Sequence, residues 1–127
     1  MNFIFAKVTN SRLMGSMGLI IGWEDKDDVL YQYFLIDAEG LGIADYVSLR
    51  NASYEELNRE QERLMGGLGA DRIQITEDEA LTLVNYYGNK TIYWEKELPG
   101  ETSEYIDFIQ PNFKEDIEKQ KLDVIEK

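Results

Sequence analysis

The sequence predicts an α+β fold in which about four N-terminal strands form an antiparallel meander and one or two later strands join it. Two to three helices are expected to pack on one face of this sheet. The first half of the chain supports the meander, because its apolar and alternating segments are of strand length and their connections are too short for crossover helices. The second half supports the helices through helical periodicity and capping signals. Since 127 residues make one ordinary domain, we expect a single domain over residues 1–127.

The stretch that organises the predicted sheet is Val29 to Ala38, with the sequence Val-Leu-Tyr-Gln-Tyr-Phe-Leu-Ile-Asp-Ala. It carries apolar residues at both odd and even positions, as a strand does when both of its faces are buried. A helix is disfavoured because Tyr31, Tyr33 and Phe34 are poor helix formers and turn residues bound the run on each side. We therefore predict a central strand here.

Three more strands are predicted around this one. The segments Phe3 to Val8 and Ile43 to Arg50 alternate along their length, as strands with two different faces do. The segment Gly15 to Trp23 is mostly apolar, and its three glycines indicate a bulge or the close approach of another backbone. These four strands make the meander.

The first helix is predicted from a capping box, in which Ser53 and Glu56 satisfy each other's backbone amides. Its apolar stripe begins with Tyr54 and Leu57, while charged residues occupy its other sides. The glycine-rich run at 66–69 is expected to end it.

The second helix is predicted from a second capping box, Thr76 with Glu79, after a short strand over Arg72 to Thr76. Gly88 is expected to end this helix, because glycine is the preferred residue just past a helix C-terminus.

The C-terminal third is less regular. Thr91 to Glu95 alternates and is interpreted as a last strand, whereas Tyr105 to Ile109 fits more than one structure. Asn112 with Glu115 can cap a final helix over about 112–127, which is either peripheral or docked on the domain.

Composition excludes several classes of chemistry. The chain contains neither histidine nor cysteine, so the usual general base near neutral pH, Ser-His and Cys-His nucleophiles and zinc sites with His or Cys ligands are all excluded. No catalytic motif is recognisable, which argues against an enzyme. Only carboxylates, tyrosines and lysines remain for acid-base chemistry.

The formal net charge of −12 disfavours direct binding to nucleic acid or to an anionic membrane surface. No apolar run approaches the ~20 residues of a membrane span, and the N-terminus lacks the features of a secretory signal. We therefore expect a cytoplasmic protein without a membrane segment.

No cofactor or metal site is predicted. The glycine clusters lack the strand-loop-helix context and the lysine of a phosphate-binding loop. The acidic run from Glu24 to Asp28 lacks the glycine and the closing glutamate of a calcium loop, and a solvated hairpin tip explains it better.

Aromatic residues are the remaining candidates for a site. Tyrosine and tryptophan beside acidic residues are typical of protein interfaces and of pockets for flat ligands, although core packing explains most of them. Two predicted clusters, one on adjacent strands and one near the last strand, contain the candidates Trp23, Tyr31, Tyr33, Tyr46, Tyr93 and Trp94.

Asp45 is the candidate carboxylate. In a regular strand it shares a face with Ile43, Val47 and Leu49, and a carboxylate on an apolar face must find donors or shift its pKa. The alternative is an edge strand on which Asp45 points to water, beside Arg50 or Arg72.

Three hypotheses for the function follow. The first is a small acidic interaction domain that binds a protein partner, in particular a basic one, through exposed aromatic residues on or near the sheet. The second is a ligand-binding or carboxylate-dependent enzymatic domain with a pocket between sheet and helices that contains Asp45. The third is a homo-oligomeric structural subunit, with a helix stripe as its seam.

Overall fold

The computed structural model of the protein describes residues 1–9, 15–40, 42–65 and 72–110. Within them the chain forms one antiparallel sheet of five strands with the order β4-β3-β2-β1-β5. The strands are β1 (Asn2–Thr9), β2 (Ser16–Asp25), β3 (Asp28–Asp37), β4 (Gly42–Arg50) and β5 (Arg72–Ile75). The predicted α+β class and the four-stranded meander are confirmed. The predicted organising strand is β3, an interior strand between β2 and β4.

Two α-helices and two short 3-10 turns complete the described part of the chain. The helices are α1 (Tyr54–Met65) and α2 (Glu77–Tyr93), and the 3-10 turns are Thr102–Glu104 and Ile106–Phe108. Both predicted capping boxes are present, since Ser53 and Glu56 bond each other's backbone amides, as Thr76 and Glu79 do.

The larger core lies on one face of the sheet, which we call the first face. Helix α2 and the 3-10 turns cover this face, and α2 contributes Ala80, Val84 and Tyr87 to the core. The sheet contributes buried residues from four strands, among them Ala6, Leu19, Ile21, Phe34, Ile36 and Tyr46.

The opposite side of the sheet, which we call the second face, has a much smaller core. Its buried members are Ile20 and Tyr33, and Leu57 of α1 packs against them. The two helices therefore lie on opposite faces of the sheet. The prediction of helices on one face is confirmed for α2 but not for α1, because Leu57 of α1 packs against the second-face cluster.

Helix α2 continues beyond Gly88 to Tyr93, so the predictions of a helix end at Gly88 and of a strand over Thr91 to Glu95 are wrong. The reason is tertiary packing. A Cβ atom at Gly88 would lie 2.3 Å from Cδ1 of Ile109, so this glycine makes room for the segment that follows the 3-10 turns. Gly88 is therefore a packing position within the helix.

The ambiguous stretch from Tyr105 to Ile109 contains the second 3-10 turn, and it inserts Tyr105 and Ile109 into the first-face core. The predicted helix over about 112–127 and the predicted stop at 66–69 lie outside the described residues.

Candidate functional site

The second face carries a groove of about 400 Å³ between α1 and the strands. It exists because α1 contacts the sheet through Leu57 and leaves the neighbouring side chains only partly covered. Tyr54, at the start of α1, is 78% exposed at the rim of this groove. Apolar and aromatic side chains make most of its walls, namely Phe5, Ile20, Tyr31, Tyr33, Tyr54 and Leu57.

The wall of the groove formed by β1 and β5 is basic. Lys7 and Arg72 both line it, because Lys7 lies two residues from Phe5 on β1 and Arg72 pairs with Thr9 across the two strands. The Lys7 ammonium lies 5.6 Å from the centre of the Phe5 ring, within the range of a cation-π contact. In a chain with a net charge of −12, this wall is a local exception.

Tyr33 forms part of the floor of the groove. Burial raises the pKa of Tyr33 to about 12, and the negative charge of Glu60 and the neighbouring Tyr31 add to this. Its hydroxyl group therefore remains protonated near neutral pH and can donate a hydrogen bond.

The first face carries a smaller pocket of about 230 Å³, beside the 3-10 turns. Its apolar walls include Trp23 and Phe108, whose rings stack with centres 5.8 Å apart. Its polar groups come from Gln32 and Glu104. The complete lining is Met1, Trp23, Leu30, Gln32, Glu104 and Phe108.

A buried hydrogen-bond network supports this pocket. Gln32, which is fully buried, accepts a bond from the indole nitrogen of Trp23 at 2.7 Å. Its amide nitrogen donates to the Tyr46 hydroxyl group and to the backbone carbonyl of Glu104, each at 3.1 Å. The Glu104 carboxylate accepts bonds from Tyr46 at 3.0 Å and from Ser48 at 2.6 Å. Side chains from β3 and β4 thus bind Glu104 directly, and Trp23 of β2 binds Gln32 in turn.

Tyr46 is at the centre of the network. Burial raises its pKa well above the ordinary range, and the charge of Glu104 acts in the same direction. The phenol therefore remains protonated and donates to the Glu104 carboxylate.

The predicted site residues are divided between these two places. Tyr31 and Tyr33 both line the groove, while Trp23 lines the pocket and Tyr46 lies in its supporting network. Trp23, Tyr33 and Tyr46 are nevertheless mostly buried, so packing accounts for much of their surface.

Tyr93 and Trp94 form a separate pair at the C-terminal end of α2. Their rings make an edge-to-face contact at 5.1 Å, and Trp94 is 45% exposed. Neither residue lines the groove or the pocket.

Asp45 lies in neither place. A bulge in β4 pairs Asp45 with Leu35 and Ile43 with Ile36, so Asp45 and Ile43 point to opposite faces. The Asp45 carboxylate is half-buried and accepts a bond from the backbone amide of Tyr46 at 2.8 Å. Because β4 is an edge strand, this bond occupies an amide on the edge of the sheet.

Sequence reasoning named only Trp23, Tyr31 and Tyr33 among the residues that line these two places; Phe5, Gln32, Tyr54 and Glu104 are among those that it missed. Gln32 had a usable signal, because a lone amide in the middle of an otherwise apolar strand needs buried partners. Glu104 had none, since its partner Gln32 is 72 residues away along the chain.

No group of three or more acidic side chains in the described ranges is placed to hold a metal ion. Among the helices of those ranges, none has the length and apolar character needed to cross a bilayer. The chain has no significant match to a protein-family model, to a curated protein or to a solved structure.

Proposed function

We propose that the protein is a small acidic interaction domain that binds a protein partner through the groove on the second face. The groove supports this proposal because it combines a volume of about 400 Å³ with aromatic walls. Tyrosine is enriched among the residues that dominate binding energy at protein interfaces, and the groove contains Tyr31, Tyr33 and Tyr54.

The shape of the groove favours a partner that inserts an apolar side chain. Leu57 and Ile20 lie at its base beside the buried Tyr33, and the exposed Tyr54 lies at its rim. This arrangement of an apolar centre and a polar rim is typical of protein interfaces.

The charges favour a partner that is basic overall and acidic at one point. The net charge of −12 attracts a basic protein at long range. The α1 residues that line the groove carry no charge, whereas Lys7 and Arg72 line the wall formed by β1 and β5. An acidic group on a partner segment would meet these cations on one side of the groove, which favours one orientation of the segment.

The test is site-specific photocrosslinking in a cell lysate, with a benzophenone amino acid placed at Tyr54. The matched control carries the same group at Ile106, which is 41% exposed on the opposite side of the sheet. We expect a discrete protein adduct from position 54 that becomes weaker at high salt, because exposed charge pairs are screened within about 10 Å at 0.1 M salt. Equal adducts from both positions, or none from position 54, would refute the proposal.

The identified partner then allows a quantitative test. We expect Tyr31→Ala to weaken its binding about tenfold, as is common for a buried interface tyrosine, while Trp94→Ala leaves it unchanged. An adduct between two copies of this chain would instead assign the groove to a homo-oligomer.

A further inference from the structure

The pocket on the first face differs from the groove in its polar chemistry. Every side-chain N–H and O–H donor in its supporting network already donates to another member of that network. The indole of Trp23 donates to Gln32, both amide hydrogens of Gln32 are used, and the hydroxyl groups of Tyr46 and Ser48 both donate to Glu104. The network therefore offers an entering ligand no free donor.

One acceptor remains available in the same pocket. Both hydroxyl groups bind Oε1 of Glu104, and within the described part of the chain no donor is bonded to Oε2. Glu104 is partly exposed, so a ligand can reach this oxygen. A carboxylate that is held in place and still has a free oxygen favours a ligand that carries both hydrogen-bond donors and positive charge.

The walls and the size of the pocket define the rest of the ligand. Trp23, Leu30 and Phe108 present apolar surface on the way to Glu104, so the ligand needs a short apolar stem next to its charge. A volume of about 230 Å³ is smaller than the roughly 300–1,000 Å³ of typical cofactor and drug sites. It suits a fragment of the size of one long side chain.

We infer that this pocket binds a small organic cation, an alkylguanidinium or alkylammonium group whose charge pairs with Glu104. Its apolar stem lies against Trp23 and Phe108, in the way that Lys and Arg side chains bury their stems along apolar surface. The inference is independent of the proposed function, because the pocket and the groove lie on opposite faces of the sheet.

Two sources could supply such a cation: a free small molecule or a basic side chain of another polypeptide. They share the same chemistry at Glu104 and differ in what surrounds the stem. The experiment therefore uses butylguanidinium and butylammonium as free probes, and acetyl-Gly-Arg-Gly-amide as the peptide probe.

The experiment is an NMR titration of the full chain, monitored through the indole N–H of Trp23. The protein has two tryptophans, so Trp94→Phe identifies the Trp23 signal. We expect a saturable shift of this signal with each cationic probe and no saturable shift with butyrate or butanol. Tighter binding of the peptide than of butylguanidinium would identify a side chain as the source, and the reverse order would identify a free cation.

Two variants with the same change in net charge make the test specific. Glu104→Gln removes the charge but keeps an oxygen that can accept from Tyr46 and Ser48, and we expect it to weaken butylguanidinium about tenfold, as loss of a charge-assisted bond does. Asp107→Asn, on the neighbouring exposed turn, should change the affinity less than about twofold, because exposed charges contribute little. Circular dichroism and a thermal melt confirm that both variants are folded.

The inference is overturned if none of the cationic probes gives a saturable shift of the Trp23 signal. It is also overturned if Glu104→Gln and Asp107→Asn weaken the probes equally, because the binding would then be a general response to the acidity of the protein.

Discussion

The two faces of the sheet differ in how completely they are covered. On the first face, Phe34, Tyr46 and Tyr105 form a ring cluster with centres 4.5 to 5.3 Å apart beneath α2 and the 3-10 turns. On the second face, α1 contributes Leu57 and leaves a groove. The same β-strands thus supply both a packed core and an accessible aromatic surface. Stability should therefore depend mainly on the first face, and partner binding on the second.

The largest expected effect is on stability at alkaline pH. Burial raises the pKa of Tyr33 to about 12, and it raises the pKa values of Tyr46 and Tyr105 on the first face as well. Because these folded-state pKa values exceed the ordinary value of about 10, the unfolded chain releases the phenol protons first. Stability is then intact below pH of about 10 and falls as pH rises further, by about 1.4 kcal/mol per pH unit for each tyrosine.

Urea unfolding at a series of pH values from 7 to 12 measures this loss. Tyr105→Phe should remove the contribution of one tyrosine, about 1.4 kcal/mol per pH unit, from the pH dependence of the free energy of unfolding. Tyr33→Phe should do the same up to pH of about 12. If stability stays constant from pH 10 to 12, the tyrosines are not buried as described.

The next largest effect is expected from substitutions that compare the first-face core with the second-face core. Phe34→Ala removes a ring that is fully buried on the first face, and it should lower the free energy of unfolding by about 3–5 kcal/mol. Leu35→Ala, the next residue of β3, acts on the partly exposed second face and should cost clearly less. Equal losses in urea unfolding would contradict the difference between the faces.

A smaller effect is expected from the polar network under the pocket. Gln32→Leu keeps the side-chain volume similar but leaves the buried Trp23 indole without an acceptor, so we expect a loss of about 1–3 kcal/mol. Thermal unfolding measures the loss, and the indole N–H signal should show that Trp23 has lost its bond. An unchanged free energy of unfolding would mean that water replaces the Gln32 amide as the acceptor for the Trp23 indole.

The smallest effect on stability is expected at Tyr54. With 78% of its surface exposed, Tyr54→Ala should change the free energy of unfolding by less than about 0.5 kcal/mol. Binding of the crosslinked partner should nevertheless weaken measurably. If Tyr54→Ala lowers the free energy of unfolding but leaves partner binding unchanged, the assignment of stability to the first face and of binding to the second is wrong.

The features that the sequence predicted correctly are those determined by near neighbours along the chain. The capping boxes at Ser53 and Thr76 join residues three apart, and the apolar run of β3 follows from its own composition. The meander follows from short connections between such runs.

The features that it did not predict depend on contacts between distant parts of the chain. Gly88 has the local character of a helix end, but its contact with Ile109 makes it an interior position of α2. The alternating pattern predicted that Asp45 and Ile43 share one face of the strand, but a bulge in β4 puts them on opposite faces. The pocket is formed by β2, β3 and the 3-10 turns, and the sequence gives no indication of their meeting.

The position of β5 has a consequence during synthesis of the protein. Strands β1 to β4 pair in chain order, whereas β5 pairs with β1 at the far edge of the sheet, after all of α1 has been made. Pairing of segments so distant in sequence is slow, because a long loop must close first. Until then the half of β1 that β5 covers, from Ala6 to Thr9, is an unprotected edge, and such edges are where chains join in aggregates. The nascent chain is therefore most exposed to misassociation in the interval before residues 72–75 leave the ribosome.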